Sequence, residues 1–294
     1  MIVKNNLKKL LCLITFLLIS NNLSAQKCLT SGSCKYFTGN CNLRTIKWNG
    51  GCQNNLINGN DTLYVYENDK LLYTYIGEIK NGQIENFGKM IWENAFTYIG
   101  YFENGLRNGK GIITYKDGET YDGNWKNDLK NGFGKMTRAN GETYEGSWLN
   151  NNANGIGEML WQNGNKYNGN IVNNTPNGYG EMIYFDGEKY IGQWLNGNKS
   201  GQGKMTFTNG DIYDGNWQND LRHGQGIEKH KDGSIYNGYF EFGDIEKYGK
   251  YIWADGSYYE GEFKDNLRNG KGTYKKVDGE IINGIWKFDV ISNE

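Results

Sequence analysis

Few residues in the sequence are suited to acid–base chemistry. The 294-residue chain has two histidines, His223 and His230, and no serine or cysteine recurs at a fixed distance from them. A structural role for both is therefore favoured over catalysis. Carboxylates are numerous enough to include a glycosidase-like pair, but they follow the periodicity of the chain and are typical of solvated faces. We expect no catalytic residue and no cofactor, so an acidic-site hydrolase is the weakest functional alternative.

Four cysteines lie close together near the N-terminus, at Cys28, Cys34, Cys41 and Cys52. Five, six and ten residues separate them, with no C-x₂-C pair and no nearby histidine, so this spacing is unlike that of a metal site. An even, clustered set in an exported chain predicts two disulfides, and the three possible pairings stay open.

Residues 1–25 have the features of a secretory signal peptide. Lysines near the start precede an apolar run over 10–19, and Ser24-Ala25 offers small residues for cleavage. An uncleaved anchor is the alternative, but the run is far shorter than the ~20 residues that span a bilayer. Neither Cys12 nor Cys28 has a lipoprotein-like context, so no lipid anchor is expected. The prediction is a secreted, periplasmic or cell-envelope protein.

A 23-residue period organises most of the remaining chain. Nine tyrosines, from Tyr75 to Tyr259, follow one another at this interval, each with glycine two residues later and an aromatic residue or isoleucine two further on. A Gly-x-Gly pair follows in seven units. One unit has Tyr121, Gly123, Trp125, Gly132 and Gly134, and the same pattern gives Tyr144, Gly146, Trp148, Tyr190, Gly192 and Trp194.

Alternation with period two inside each unit predicts two antiparallel strands. Asn-Gly and Asp-Gly pairs between units, such as Asn140-Gly141, predict tight turns in which both residues take positive φ. The expected fold is an all-β, elongated single-layer antiparallel β-meander of about ten hairpin repeats over 48–294, with a degenerate first unit at Trp48. Residues 26–47 form a separate Cys-rich segment, and disulfides over 28–52 are expected to cap the first edge strand. The strand around 285–290 is predicted to be the open edge.

Two explanations fit the repeated glycines. A tyrosine or tryptophan ring that lies flat over bare glycine backbone would be sheltered without a second sheet. Alternatively, the glycines allow strong twist or bulges. The sequence favours neither explanation over the other.

The unit Tyr-x-Gly-x-Trp, then Gly-x-Gly, then Asp/Asn-Gly resembles the MORN repeat (membrane occupation and recognition nexus) over about 48–294. The best match runs from Tyr121 to Gly141. This resemblance implies an elongated β-meander that acts as an interaction or scaffolding module. Departures fall in the first unit and at 236–258, where Phe242 and Lys247 break the loop pattern.

One charged pattern is a candidate interaction rim. When the tyrosine of each unit is counted as position 1, the tenth position is basic in five units. The loops at the opposite ends of the strands are acidic, at residues such as Asp117 and Asp186. The basic residues are Arg107, Lys130, Lys199, Arg222 and Arg268. Docking through these rims, by self-association or with a charged partner, is one interpretation, and ordinary polar turns are the other.

The functional prediction is an exported, non-enzymatic module that binds an unknown protein partner or a second copy of itself. The alternative is a carbohydrate or cell-envelope binder, because tyrosine, asparagine and aspartate suit glycan recognition. Cleavage after residue 25 removes three lysines and leaves a net charge of about −4. That charge disfavours nucleic acid and membrane lipid as partners.

Overall fold

The computed structural model describes residues 30–31, 34–35 and 44–292. The predicted signal peptide, most of the Cys-rich segment, and cysteines Cys28 and Cys41 lie outside them. Within the described ranges the chain forms strands and turns, and no helix. The described residues divide into two compact units: one comprises those up to Lys116 together with Trp125–Asp128, and the other comprises Asp117–Asn124 and those from Leu129 onward.

The first nine strands belong to the first unit. They are β1 (Thr30–Ser31), β2 (Cys34–Lys35), β3 (Arg44–Trp48), β4 (Gly51–Gln53), β5 (Leu56–Glu67), β6 (Lys70–Lys80), β7 (Gln83–Trp92), β8 (Phe96–Glu103) and β9 (Leu106–Tyr115). From β5 to β9 each strand pairs antiparallel with the next. The long β5 also pairs with β3 and β4 along different parts of its length, and makes one parallel pairing with β2.

Sixteen further strands follow β9 in the described residues. They are β10 (Thr120–Lys126), β11 (Leu129–Thr137), β12 (Thr143–Leu149), β13 (Asn152–Leu160), β14 (Lys166–Val172), β15 (Thr175–Ile183), β16 (Lys189–Leu195), β17 (Asn198–Thr206), β18 (Ile212–Gln218), β19 (Leu221–Lys229), β20 (Ile235–Glu241), β21 (Asp244–Ile252), β22 (Tyr258–Lys264), β23 (Leu267–Lys275), β24 (Ile281–Lys287) and β25 (Val290–Ser292). From β11 onward each strand pairs antiparallel with its successor.

The C-terminal edge differs from the prediction. The strand expected around 285–290 is two strands, because Phe288 and Asp289 form a turn after β24. β25 then pairs back onto β24, with Ser292 opposite Ile285. The last described edge is therefore β25, which is only three residues long.

Turns with positive φ at both residues lie within the repeats, whereas the sequence predicted them between repeats. In the loop within a repeat, Asn127 and Asp128 have φ of 49° and 66°, as a two-residue type I′ turn requires. In the turn after β11, between two repeats, only the glycine has positive φ, 88° at Gly141. There the Gly141 amide donates to the Arg138 carbonyl at 2.9 Å, and the Arg138 amide donates to the Glu142 carbonyl at 2.8 Å. This geometry is a type I turn followed by a glycine bulge.

Candidate functional site

Tyrosine rings cover one face of the sheet, which we call the sheltered face. The Tyr121 ring is fully buried, and a β-carbon at Gly134 would lie 2.5 Å from its hydroxyl oxygen. A β-carbon at Gly123 would lie 2.6 Å from the same atom. The ring therefore occupies the space that side chains at these two positions would need. This contact confirms the sheltering explanation for these two glycines.

A β-bulge completes the sheltered face and gives the tyrosine hydroxyl its partner. Between the pairs Gly146–Gly157 and Trp148–Ala153, β12 has the single residue Ser147, whereas β13 has residues 154–156, so the bulge lies in β13 opposite Ser147. The Tyr144 hydroxyl donates to the Ser147 carbonyl at 2.7 Å. Nearby, Gly155 has φ of 109°, a conformation that glycine adopts easily. The bulge explanation thus holds for the first glycine of the Gly-x-Gly pair, and sheltering for the second.

Tryptophan rings join neighbouring repeats on the sheltered face. The Trp148 ring meets Tyr121 and Tyr144 edge to face, with centroids 5.2 Å and 5.1 Å apart. Its indole N–H donates to the Gly134 carbonyl at 2.9 Å. Such pairs contribute about 0.5–1.5 kcal/mol beyond burial. Burial raises the pKa of the Tyr144 and Tyr167 hydroxyls to about 12, so these hydroxyls stay protonated donors well above neutral pH.

The five basic residues of the predicted rim fold back over the sheltered face. The Arg107 guanidinium lies 4.2 Å from the Trp125 ring centroid, and its Nε is 2.8 Å from Asp128 Oδ1. Lys199 lies 4.6 Å from the Trp217 centroid, and desolvation lowers its pKa. The other three make equivalent contacts, Lys130 with Trp148, Arg222 with Phe240, and Arg268 with Trp286.

This arrangement changes the interpretation of both charged rims. The basic side chains are partly or largely buried and engaged within the chain, so they are not an exposed basic strip. Likewise, the acidic turn residues bind their own turns: Asp186 Oδ1 accepts the Glu188 amide at 3.1 Å. The stacking was not predicted from the sequence, although a signal was present. Each basic residue at the tenth position precedes a tryptophan or phenylalanine by 18 residues.

The opposite face, which we call the open face, carries exposed apolar side chains. Phe133, Ile156 and Tyr179 occupy the middle of the Gly-x-Gly pair in three successive repeats of the second unit, and we call them the apolar row. They are 58%, 67% and 60% exposed. Alternate strands lie about 9.6 Å apart, so the apolar row repeats at roughly that interval. In the next two repeats this position holds Gln202 and Gln225.

A second exposed row lies near the type I′ turns of the same repeats. Leu149, Val172 and Leu195 are half exposed, at 50%, 43% and 54%. In the two repeats before Leu149 the corresponding residues are Glu103 and Lys126. On the other side of the apolar row, towards the type I turns, run the ion pairs Lys135–Glu145, Lys166–Glu158 and Lys189–Glu181, at 3.1, 3.0 and 2.8 Å. The open face of these repeats is therefore apolar with locally neutralised charge.

The open face also contains a shallow depression of about 340 Å³ beside the apolar row. Tyr179 and Ile183 form its apolar wall, and Glu158, Lys166 and Asn168 its polar wall. The side chain of Asn170 is already engaged, because its Nδ2 donates to the Tyr179 carbonyl at 3.1 Å.

The two histidines lie apart from any nucleophile–base arrangement in the described residues. His223 packs 5.2 Å from Phe242, and its Nδ1 is buried without a hydrogen-bond partner there. His230 Nδ1 lies 3.4 Å from Asp211 Oδ2. Hydrogen bonds from the Lys231 amide and neighbouring side chains hold the pKa of Asp211 below its usual value.

Among the residues that the structure describes, no group of three or more potential ligands could hold a metal ion. Over the same ranges, no helix has the length and hydropathy needed to cross a membrane. Cys52 is exposed on β4, and with Cys28 and Cys41 outside the described residues, the predicted disulfides stay a prediction.

The repeated sequence unit also identifies the family of the chain. The sequence matches the MORN repeat nine times, over residues 75–94, 98–120, 121–143, 144–166, 167–189, 190–212, 213–235, 236–258 and 259–281. The chain therefore belongs to the MORN-repeat family. No curated protein sequence matches it.

Solved structures that match this chain include domains of SAS-4 and CPAP. One is the TCP domain of SAS-4 from Drosophila melanogaster, solved in complex with a proline-rich motif of Ana2; it is 18% identical, with a TM-score of 0.32. The match covers 60% of this chain and 90% of that one. The TCP10 domain of CPAP from Danio rerio is 11% identical, with a TM-score of 0.28, and the match covers 68% and 95% of the two chains. At these TM-scores neither structure informs the function of this protein.

Proposed function

We propose that the protein is an exported, non-enzymatic MORN-repeat module that binds a protein partner through the open face. The observation that carries this proposal is the apolar row of Phe133, Ile156 and Tyr179. Clustered exposed apolar side chains commonly mark interaction surfaces in soluble proteins. The rings of the sheltered face cover one another, whereas the apolar row has no such cover within its repeats.

The neighbouring charges support a protein partner rather than a highly charged ligand. The three lysines and three glutamates beside the apolar row are paired with one another. Binding at this surface is therefore expected to depend on apolar burial, and to weaken little when salt is raised. This expectation separates the open face from the charged rims as the binding surface.

A non-enzymatic role is supported by how the polar groups are used. The buried tyrosine hydroxyls donate to backbone carbonyls opposite the bulges, as Tyr167 does to Asn170 at 2.8 Å. The aspartates of the turns accept their own backbone amides, as Asp255 does from Ser257 at 2.9 Å. These contacts are structural. Export rests on the sequence of residues 1–25 and is tested by N-terminal sequencing of the protein from culture medium and envelope fractions.

The binding proposal is tested by placing a photo-crosslinking amino acid at position 179 or 202 of the exported protein in its native cells. We expect position 179 to give a discrete protein adduct and position 202 to give little. Purified wild-type protein should compete for the adduct, and the variant Ile156→Ser/Tyr179→Ser should not. The matched control Gln202→Ser/Gln225→Ser, at the same repeat position, should compete as wild type does.

Equal adducts at positions 179 and 202 would contradict the proposal. An adduct to another copy of the chain identifies self-association, which light scattering of the purified protein measures independently. Binding to a glycan array that is lost in Ile156→Ser/Tyr179→Ser, without a protein adduct, would replace the proposal by the carbohydrate-binding alternative.

A further inference from the structure

Two repeats, those of Ala153 and Pro176, lack the long side chain that the other repeats place on the sheltered face, and alanine is the smaller of the two residues. At the tenth position, Ala153 replaces the arginine, lysine or isoleucine of most other repeats. Backbone hydrogen bonds establish the equivalence. The Ile84 carbonyl accepts the Gly105 amide at 2.9 Å, and the Ala153 carbonyl accepts the Asn174 amide at 3.0 Å. Only the side chain differs at this point of the repeat.

A cavity of about 140 Å³ lies beside Ala153. Its wall includes Trp148, Met159 and Trp161. Ala153 itself is 2% exposed, so its methyl group forms the floor. The cavity opens to solvent, and polar side chains such as Thr143 and Asn174 line it together with the apolar ones. Its apolar part, formed by Trp148, Ala153 and Met159, can receive an apolar group from outside the chain.

Two observations identify that group. The first is internal: in the equivalent place Ile84 is 2% exposed, so a branched aliphatic side chain fits this environment. The second is charge. The charged groups lining the cavity, Arg138 and Glu142, are paired at 2.6 Å, so the cavity attracts neither sign. Asn174 also lines it, and its Oδ1 accepts the Ala153 amide at 2.7 Å.

We propose that the cavity beside Ala153 receives one uncharged aliphatic side chain, of leucine or isoleucine size, from a partner polypeptide. The partner's side chain takes the place that Ile84 occupies in its own repeat. This second site lies on the sheltered face, opposite the apolar row, and does not depend on binding at the open face.

The test uses the exported protein labelled with ¹³C on its methionine methyl groups, because Met136 and Met159 line the cavity. The probe is N-acetyl-leucine amide, with the glycine and lysine amides as comparators. We expect saturable shifts of the Met136 and Met159 signals with the leucine amide, at a Kd on the order of millimolar. Met90 and Met205 should not shift. The lysine amide should bind about tenfold more weakly, because it would bury a charge.

The variant Ala153→Ile fills the cavity from within and should abolish the leucine-induced shifts while raising the unfolding temperature. The matched control Ala254→Ile adds the same side chain at an exposed turn and should leave the shifts unchanged. Absence of saturable shifts in the wild type, or equal shifts in Ala153→Ile, would overturn the proposal.

The two proposals fail separately. If the crosslink at position 179 forms but no methionine responds to the leucine amide, the cavity proposal alone is wrong. If the methionines respond and Ile156→Ser/Tyr179→Ser still competes for the partner, the open-face proposal alone is wrong.

Discussion

Replacement of Gly134 by alanine is expected to destabilise the second unit strongly. The new β-carbon would lie 2.5 Å from the Tyr121 hydroxyl oxygen and 2.6 Å from the adjoining ring carbon. Comfortable carbon contacts are about 3.5–4.0 Å, so the ring would have to move by about 1 Å. Movement is opposed by Trp148, 5.2 Å away between centroids, and would break the 2.9 Å hydrogen bond to the Asn124 carbonyl.

The cost follows from these two effects. Overpacking in a filled core costs about 1–3 kcal/mol, and a lost hydrogen bond about 1 kcal/mol, so Gly134→Ala should lower the free energy of unfolding by about 2–4 kcal/mol. The matched control is Gly118→Ala. Gly118 has φ of 88° and no heavy atom within 4 Å of an added β-carbon. This control should cost only the backbone strain of about 1–2 kcal/mol.

The assay is urea unfolding together with amide hydrogen exchange around Tyr121, because repeat arrays can unfold in parts. A double-mutant cycle with Tyr121→Ala isolates the contact: the alanine at 134 should cost at least about 1 kcal/mol less once the ring is absent. The account is refuted if Gly134→Ala costs no more than Gly118→Ala, or if the two changes in the cycle are additive.

Three further predictions concern the sheltered face and the turns. The pKa of Tyr144 and Tyr167 is raised to about 12 in the folded state, from about 10 in the unfolded state. The contribution of these residues to the free energy of unfolding should therefore be complete below about pH 10 and decrease as the pH rises towards about 12. Urea unfolding measured as a function of pH checks this, and a flat profile contradicts it. Arg107→Ala should lower the free energy of unfolding by about 1–2 kcal/mol, because the Arg107 side chain is 13% exposed, stacked and ion-paired. The control Arg138→Ala, at a side chain that is 61% exposed, should lower it by under about 0.5 kcal/mol in the same denaturation assay. Equal losses would refute the stacking role. Phe242→Asn should raise stability by about 1 kcal/mol, because Phe242 has φ of 49°, which asparagine tolerates better; a lower unfolding temperature would show that its ring contacts outweigh the strain.

The sheltered face could be predicted from the sequence because its signal is both local and repeated. Tyr121, Gly123 and Trp125 alternate with polar residues, and a period of two assigns them to one side of a strand. Repetition at 23 residues then predicts that equivalent side chains meet across the sheet. The ring contacts of Tyr121 with Gly134 and Trp148 follow from that register.

The turns and the basic residues could be predicted only in part. Asparagine precedes glycine between repeats and also fills the type I′ turns, so composition did not distinguish the loop at Asn127 from that at Asn140. For Arg107 the spacing predicted a place near a loop, but not the direction of a long side chain. Its position over Trp125 depends on register between strands, which a local pattern does not contain.

The cavity beside Ala153 was beyond sequence reasoning for a different reason. A small residue at one repeat position predicts lost volume, but neighbouring side chains can collapse into that volume. Only the positions of Trp148 and Met159 show that the space stays open. The apolar row was visible as Phe133, Ile156 and Tyr179 between glycines, yet its exposure required the assignment of the open face.

The assignment of faces is the central claim, and oxidative footprinting of the tyrosines with mass spectrometry tests it. Tyr179 is 60% exposed, whereas Tyr167 in the adjacent strand is fully buried. The account predicts rapid oxidation of Tyr179 and protection of Tyr167, together with Tyr190 and Tyr213, which are also fully buried. Comparable oxidation of Tyr167 and Tyr179, or faster oxidation of Tyr167, would contradict it.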